Sequence, residues 1–431
     1  MRRRIRVWIV TIYEPLPLND PRTRPQRCGM LTKALVERGH DVVLWTSTFE
    51  HVQRFHHFTE SQVLRVDERT TVNLMSGRGY HHDHAPSRLL HNRETAREFL
   101  RMAAESNEPP DLIFAPVPTL ELAESSASYA MAHRLPVVID VRDRWPDVYL
   151  AMFPDWMESQ ARWILRSEFR RAHRIFSRAT GITAVSPSFL RWGLAQAKRD
   201  MSASDQVFHI GFPDEGFDRE SLDAQKRTFM TRYGLSRDDK VIAFAGTFSA
   251  DRALDKVIEA ARHILHRRPS NVWFFIIGDG DGNQRLRDSA KDLPHVVFTG
   301  WQDNLSLRAL LEMSTVGLAP YTSDALMSLP NKPFEYMAAG LPILSSLKGE
   351  LEELIHESRI GRQFVAEDPR SLIYEIEWCL SHGSETKQMS RRSRDLYERH
   401  FRSEAIYGRL AAFLEGIAAS NGQDAESVSG N

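Results

Sequence analysis

Glu335 and Lys332 stand three residues apart in the stretch from Ser328 to Ser346, which reads SLPNKPFEYMAAGLPILSS. Proline fixes φ and lacks a backbone donor, so Pro330 holds an extended loop and Pro333 suits a first helical turn. The pattern predicts a short helix from Phe334 to Ala339, stopped by Gly340 and Pro342. A buried strand from Leu341 to Ser346 should follow. A loop feeding a helix N-terminus is an anion and hydroxyl site, because unpaired N–H groups and the positive dipole end point outward there. Glu335, one turn inside, is a carboxylate where a sugar ring could meet it, and Lys332 is a point charge beside it. The plainer alternative is that Glu335 only supports the helix dipole, worth about 0.5 kcal/mol.

Other residues invite the same question. Arg142 and Asp143 follow the near-continuous apolar run Pro136 to Val141, and ligands gather at the carboxyl ends of strands in doubly wound sheets. Asp143 can accept from an acceptor hydroxyl, whereas Arg142 can donate but cannot act as a base. An ion pair between the two, bracing the loop, is the alternative. Arg22, Arg24 and Arg27 form a basic loop that meets either phosphate or solvent. His81-His82-Asp83-His84 has metal-ligand chemistry, but adjacent ligands on one loop make poor geometry for a closed site.

These residues need a scaffold, and the chain supplies two similar ones. With 431 residues it exceeds what one core usually supports. A strand at Arg4 to Ile12, a helix at Gly29 to Arg38 closed by Gly39-His40, and a strand at Asp41 to Thr46 make a doubly wound unit. Strands at Asp111 to Ala115, Pro136 to Val141 and Gly181 to Ser186 extend it. A second unit starts at Lys240, with strands at Val241 to Ala245, Val272 to Ile277, Val296 to Phe298 and Val316 to Ala319. The fold class is therefore α/β with two Rossmann-like lobes, set at residues 1–212 and 213–400. A final amphipathic helix covers 401–418, and the Ser/Gly/Asp-rich residues 419–431 read as a disordered tail. Ser159 to Ala179, apolar and arginine-rich, either packs its stripe inward or lies on anionic lipid.

Composition narrows the classes. A formal net charge of -1 gives no global field toward nucleic acid or a membrane. Two cysteines, Cys28 and Cys379, exclude a disulfide scaffold and suit a reducing cytosol. No run approaches the roughly 20 apolar residues of a membrane span. Ile5 to Ile12 is too short and too strand-like for a signal-peptide core.

The run Lys332 to Pro342 resembles the nucleotide-sugar signature of retaining glycosyltransferases of family four, which have the two-lobed GT-B fold. In that family a Glu–seven residues–Glu motif ends just before an A-x-G-x-P turn, and the second Glu holds the ribose hydroxyls. Glu335 matches the second Glu, and Met327 stands at the first. The resemblance implies two lobes facing a cleft, with the C-terminal helix crossing back to the first lobe. It also gives Ala245 to Ala260 the role of a diphosphate turn, in which Gly246 matches the family glycine, Thr247 its Arg and Arg252 its Lys. Lys332 could supply the charge lost at Thr247. Arg142 stands where many members have a His, beside Asp143. Asp279-Gly280-Asp281 spells the Asp-x-Asp of metal-dependent, single-lobed transferases, but Gly278 and Gly280 fit the family's backbone approach to the nucleotide better, so no metal is expected.

The expected catalytic set is thus Glu335, Arg252, Lys332, Asp143 and Arg142. The expected donor contacts are Gly246, Thr247, Arg252, Gly278, Gly280, Trp301, Leu329, Asn331, Lys332 and Glu335. By resemblance, a nucleotide-diphosphate sugar, a UDP-sugar first, is the donor and no further cofactor is required. The acceptor is a glycan or a lipid-linked glycan of bacterial surface polysaccharide, met in the cytoplasm with peripheral contact to the membrane. Two other readings stay open: a nucleotide-sugar epimerase on the same two lobes, and a non-catalytic sugar-nucleotide-binding subunit.

Overall fold

The computed structural model describes residues 3–15, 25–51, 54–81, 86–213, 216–267, 271–280, 282–325 and 327–429. The chain forms two compact units, Met1–His209 with Glu404–Asn431, and Ile210–Ser403. Arg22, Arg24, His82 to His84 and Asp281 lie outside the described residues.

Unit 1 is built on an eight-stranded sheet. In chain order the strands of this unit are β1 (Arg6–Val10), β2 (Asp41–Ser47), β3 (Phe49–Glu50), β4 (Phe55–His56), β5 (Gln62–Arg65), β6 (Thr70–Met75), β7 (Leu112–Val117), β8 (Val137–Val141), β9 (Gly181–Ala184) and β10 (Asp205–Val207). The sheet order is β10-β9-β8-β7-β1-β2-β6-β5, with β3 and β4 as a separate antiparallel ribbon. Neighbours run parallel except β5 against β6. Buried parallel strands read as apolar runs because helices cover both faces. Those helices are α1 (Arg27–Glu37), α2 (Pro86–Ala104), α3 (Leu120–His133), α4 (Glu158–Ile164), α5 (Arg166–Ser177) and α6 (Pro187–Ala197). Trp8 on β1 and Trp45 on β2 pack with tilted rings 4.7 Å apart and are closed over by Phe99 of α2, 5.0 Å from Trp45.

Unit 2 has a six-stranded, wholly parallel sheet: β11 (Lys240–Ala245), β12 (Val272–Ile277), β13 (Val296–Gly300), β14 (Val316–Ala319), β15 (Ile343–Ser345) and β16 (Gly361–Gln363). Its order is β13-β12-β11-β14-β15-β16. The helices are α7 (Arg219–Tyr233), α8 (Leu254–Arg267), α9 (Asn283–Ser289), α10 (Asn304–Glu312), α11 (Asn331–Ala338), α12 (Glu350–Ser358), α13 (Pro369–Ser381) and α14 (Gly383–Leu396). Phe244, Phe248, Phe274 and Ile276 meet α8 in one apolar core.

The last helix, α15 (Ser403–Ser429), runs through Ser420, where composition alone reads as a tail. From Glu404 onward it belongs to unit 1. Phe413 packs on Phe208 at 5.4 Å, and Glu415 takes Arg38 at 2.5 Å and the Nε2 proton of His40 at 2.7 Å. His40 Nδ1 accepts from the N–H of Ile5, which places the ring proton on Nε2. The apolar, arginine-rich stretch from Ser159 to Ala179 is divided at Leu165 between α4 and α5.

Candidate nucleotide site and its counterpart in unit 1

Helix α11 starts three residues earlier than the sequence pattern predicts. Pro330 is its N-cap, no side chain caps it, and its first turn has no acidic residue. Gly340, at φ +70°, ends it in a Schellman turn: its N–H donates to Met337 O, and the Leu341 N–H donates to Tyr336 O. Tyr336 fixes the helix to the sheet. Its hydroxyl donates to Leu318 O at 2.9 Å and accepts from the Ala245 N–H at 2.9 Å, tying α11 to the ends of β14 and β11. Gly317 lies under the ring, where a Cβ would come within 2.7 Å of it.

On that anchored helix Glu335 is buried, at 6% exposure, and accepts from Lys332 Nζ at 2.9 Å. Lys332 is half-buried against the turn after β11, where a Cβ on Gly246 would meet its Cε at 3.7 Å. Gly246, Lys332 and Glu335 are therefore brought together, and Thr247 is exposed on the same turn. Arg252 lies 4.1 Å over the ring of Tyr321, donates to Asp251, and reaches Met327 Sδ at 3.7 Å. A thioether thus meets this cation at the position of the resembled family's first Glu. Leu329 is buried in the loop before α11, while Asn331, its first residue, is exposed. Trp301, after β13, is also exposed.

Gly278 and Gly280 have a reason inside the protein. At φ +123° and +153°, Cβ atoms there would come 2.0 Å from Gly246 O and 2.5 Å from Phe248 O. The two loops are laced together by Gly246 N to Ile277 O and Phe248 N to Asp279 O, both 2.9 Å. These glycines admit a neighbouring loop. The Asp279 carboxylate accepts from its own turn, from the Gly280 N–H at 2.8 Å and Asn283 Nδ2 at 2.5 Å. Among the described residues no group of three or more His, Cys, Asp or Glu could hold a metal ion.

In unit 1 the candidate residues have partners that the sequence reading did not give them. Arg142 pairs with Glu14 rather than with Asp143. Glu14, following β1, sits on the N-terminus of α1 and accepts from the N–H groups of Cys28 at 2.9 Å and Gly29 at 3.3 Å. Asp143 accepts from the Arg144 N–H at 2.8 Å, and burial pushes its carboxyl pKa up. Arg27 is not a solvated loop residue. It opens α1, is buried, and makes a bidentate pair with Asp140 of β8 at 2.8 Å through both oxygens. Burial would push the Asp140 carboxyl up, but Arg27, with the Thr183 hydroxyl, holds it below its ordinary value. Arg88 donates to Tyr13 Oη at 2.9 Å and lies over the rings of Tyr13 (4.7 Å) and Trp145 (5.3 Å). Those contacts join the segments after β1 and β8, and no motif in the sequence announced them.

Two family models match, one in each unit: "Glycosyl transferase 4-like domain" over residues 25–198 and "Glycosyl transferases group 1" over residues 239–382. The chain is 27% identical over 201 residues to an uncharacterized glycosyltransferase of Methanocaldococcus jannaschii, covering 45% of this chain and 50% of that protein. It is 25% identical over 222 residues to the amylovoran biosynthesis glycosyltransferase AmsK of Erwinia amylovora, 49% of this chain and 54% of that one. The chain spans about half the length of the curated relatives it matches. Its fold is similar to that of Anabaena HepE, solved in complex with UDP and glucose, at a TM-score of 0.66 and 15% identity over 96% of this chain and all of the other. That likeness establishes the GT-B class of two Rossmann-like lobes.

Proposed function

The chain belongs to the group 1 glycosyltransferases, and we propose that it moves a sugar from a nucleoside-diphosphate sugar to a glycan or lipid-linked acceptor of cell-surface polysaccharide, with retention of configuration. One observation carries this reading: the pair of buried Glu335 and half-buried Lys332 on an uncapped helix start, set against the Gly246 turn. Glu335 accepts from the ribose hydroxyls of the donor. Lys332, Arg252 and the first N–H groups of α11 face the diphosphate, on which charge grows as the sugar–phosphate bond breaks. The acceptor oxygen forms the new bond on the same face of the sugar, and its proton passes to the leaving phosphate, so no side-chain base is needed. Asp143, at the end of β8, receives the acceptor hydroxyl. UDP in the HepE structure supports a UDP-sugar as donor, and the amylovoran relative supports a surface polysaccharide as product.

Purified protein is incubated in EDTA with a panel of nucleotide sugars, with and without membrane lipid extract, and released nucleoside diphosphate is assayed. Release that rises with the extract is the expected result. Donor consumed equally without acceptor would indicate an epimerase instead, and binding without turnover would reduce the chain to a sugar-nucleotide-binding protein.

A further inference from the structure

Helix α11 has no side-chain cap on its first turn, so its place must be fixed from elsewhere along its length. Its 8 residues would be unstable as an isolated helix, because nucleation is costly. In its last turn Glu335 O, Tyr336 O and Met337 O accept from the N–H groups of Ala339, Leu341 and Gly340. The fourth carbonyl, Ala338 O, is met from outside the helix by the guanidinium of Arg394 on α14.

Two more donors to this end of α11 come from the same helix. Ser390 Oγ donates to Gly340 O at 2.5 Å and Ser393 Oγ to Leu341 O at 2.7 Å. Ser390, Ser393, Arg394 and Tyr397 are spaced as i, i+3, i+4 and i+7, one face of a helix. Arg394 is half-buried, lies 5.3 Å over the ring of Tyr397 and pairs with Glu398. Past its end α14 runs into one π-helical turn, Tyr397–Phe401. There Phe401 sets its ring 4.9 Å from that of Phe334, the neighbour of Glu335.

We propose that Arg394 is a positioning residue for the donor: with Ser390 and Ser393 it fixes where α11 presents Glu335, Lys332 and its first N–H groups. This rests on the reading of α11 as the nucleotide site. The helix spans about 12 Å, so a side chain at its last carbonyl does not touch a nucleotide at its first turn. Arg394 acts through the helix instead. A cation also suits this end, where the helix dipole is negative. Small displacements count here, since a shift of about 1 Å in a positioned group can cost about 100-fold in rate.

The test pairs calorimetric titration of UDP with hydrogen exchange of the α11 amides, both on the full chain. Arg394→Ala should weaken UDP by roughly tenfold and speed exchange of those amides by a similar factor. Arg394→Lys keeps the charge and a donor, and should restore affinity to within about threefold of wild type. Glu398→Gln should also stay within about twofold, because the pair with Glu398 is not what holds α11. Ser390→Ala combined with Ser393→Ala removes two neutral donors and should weaken UDP by about fivefold. In the Glu335→Gln background Arg394→Ala should cost less than it does in the wild type, since a contact it positions is already gone. Unchanged UDP affinity in both Arg394→Ala and the double serine variant would overturn the proposal and leave the nucleotide site standing. So would an equal loss from Arg394→Ala in both backgrounds. A wild type that binds no UDP would overturn the reading of the site, and the proposal with it.

Discussion

In unit 1 the N-terminus of α1 receives the carboxylate of Glu14, which Arg142 holds in place. In unit 2 the N-terminus of α11 begins at Pro330 with no capping side chain and no acid in its first turn. Both helices follow loops at the carboxyl ends of parallel strands, where a doubly wound sheet collects ligands. A helix start is a site for an anion only while its dipole and N–H groups are not already answered. Unit 1 answers them from within, and its cations Arg27 and Arg142 are spent on Asp140 and Glu14. In unit 2 Lys332 is paired as well, with Glu335, but that pair sits against the Gly246 turn beside a helix start with no cap.

The largest effect should come from disturbing the inward pairing of unit 1. Arg27→Met strands the Asp140 carboxylate in the core, and removing one partner of a buried pair costs about 3–5 kcal/mol. Urea unfolding reads the loss, and UDP affinity of the folded fraction should be unchanged. A parallel fall in UDP affinity would erase the distinction between the units.

Next in size is Lys332→Ala. Removing one preorganised donor to a developing charge costs about 10²–10³-fold in rate. Thr247→Arg should recover part of that loss, because it restores a cation on the turn beside Lys332. If Thr247→Arg helps no more in the Lys332→Ala background than in the wild type, the two positions are uncoupled.

The smallest effect is in pH. The hydrogen bond from Arg38 holds the Glu415 carboxyl down at about 2, against burial and with help from His40. A depressed carboxyl contributes stability above its unfolded pKa of 4.5 and loses it as pH falls toward 2. With both groups partly in water, about 2 kcal/mol should go in that window. Glu415→Gln should flatten the acid limb of the melting temperature, and an unchanged limb would mean that α15 is not held on unit 1 by this pair.

The local geometry of the candidate site around α11 was legible because its parts are contiguous. Lys332, Pro333, Glu335 and Gly340 lie within three turns of chain, so type and spacing carry the geometry. The strands were legible as apolar runs. The edge strand β5 and its neighbour β6, with polar residues such as Gln62, Arg65 and Asn73, were not read. Nor were the pairs of unit 1, because they join residues far apart. The ion pair considered for Arg142 was with its neighbour Asp143, but its partner Glu14 is 128 positions away. Arg27 was grouped with Arg22 and Arg24, although Asp140 held a usable signal. A lone carboxylate inside the buried strand VVIDV requires a cation. Gly278 and Gly280 were read as making room for a ligand, because a sequence does not say which backbone a glycine admits.

The central claim is that unit 2 holds the diphosphate nucleotide and the corresponding helix start of unit 1 does not. Calorimetric titration of UDP into wild type, Glu335→Gln and Glu14→Gln tests it directly. A charge-assisted hydrogen bond is worth about 1.5–3 kcal/mol, so Glu335→Gln should weaken UDP by roughly 10- to 100-fold. Glu14→Gln keeps an oxygen on the N–H groups of Cys28 and Gly29 and should leave UDP affinity within about twofold. Loss of affinity in Glu14→Gln with none in Glu335→Gln would contradict the assignment and move the nucleotide to unit 1.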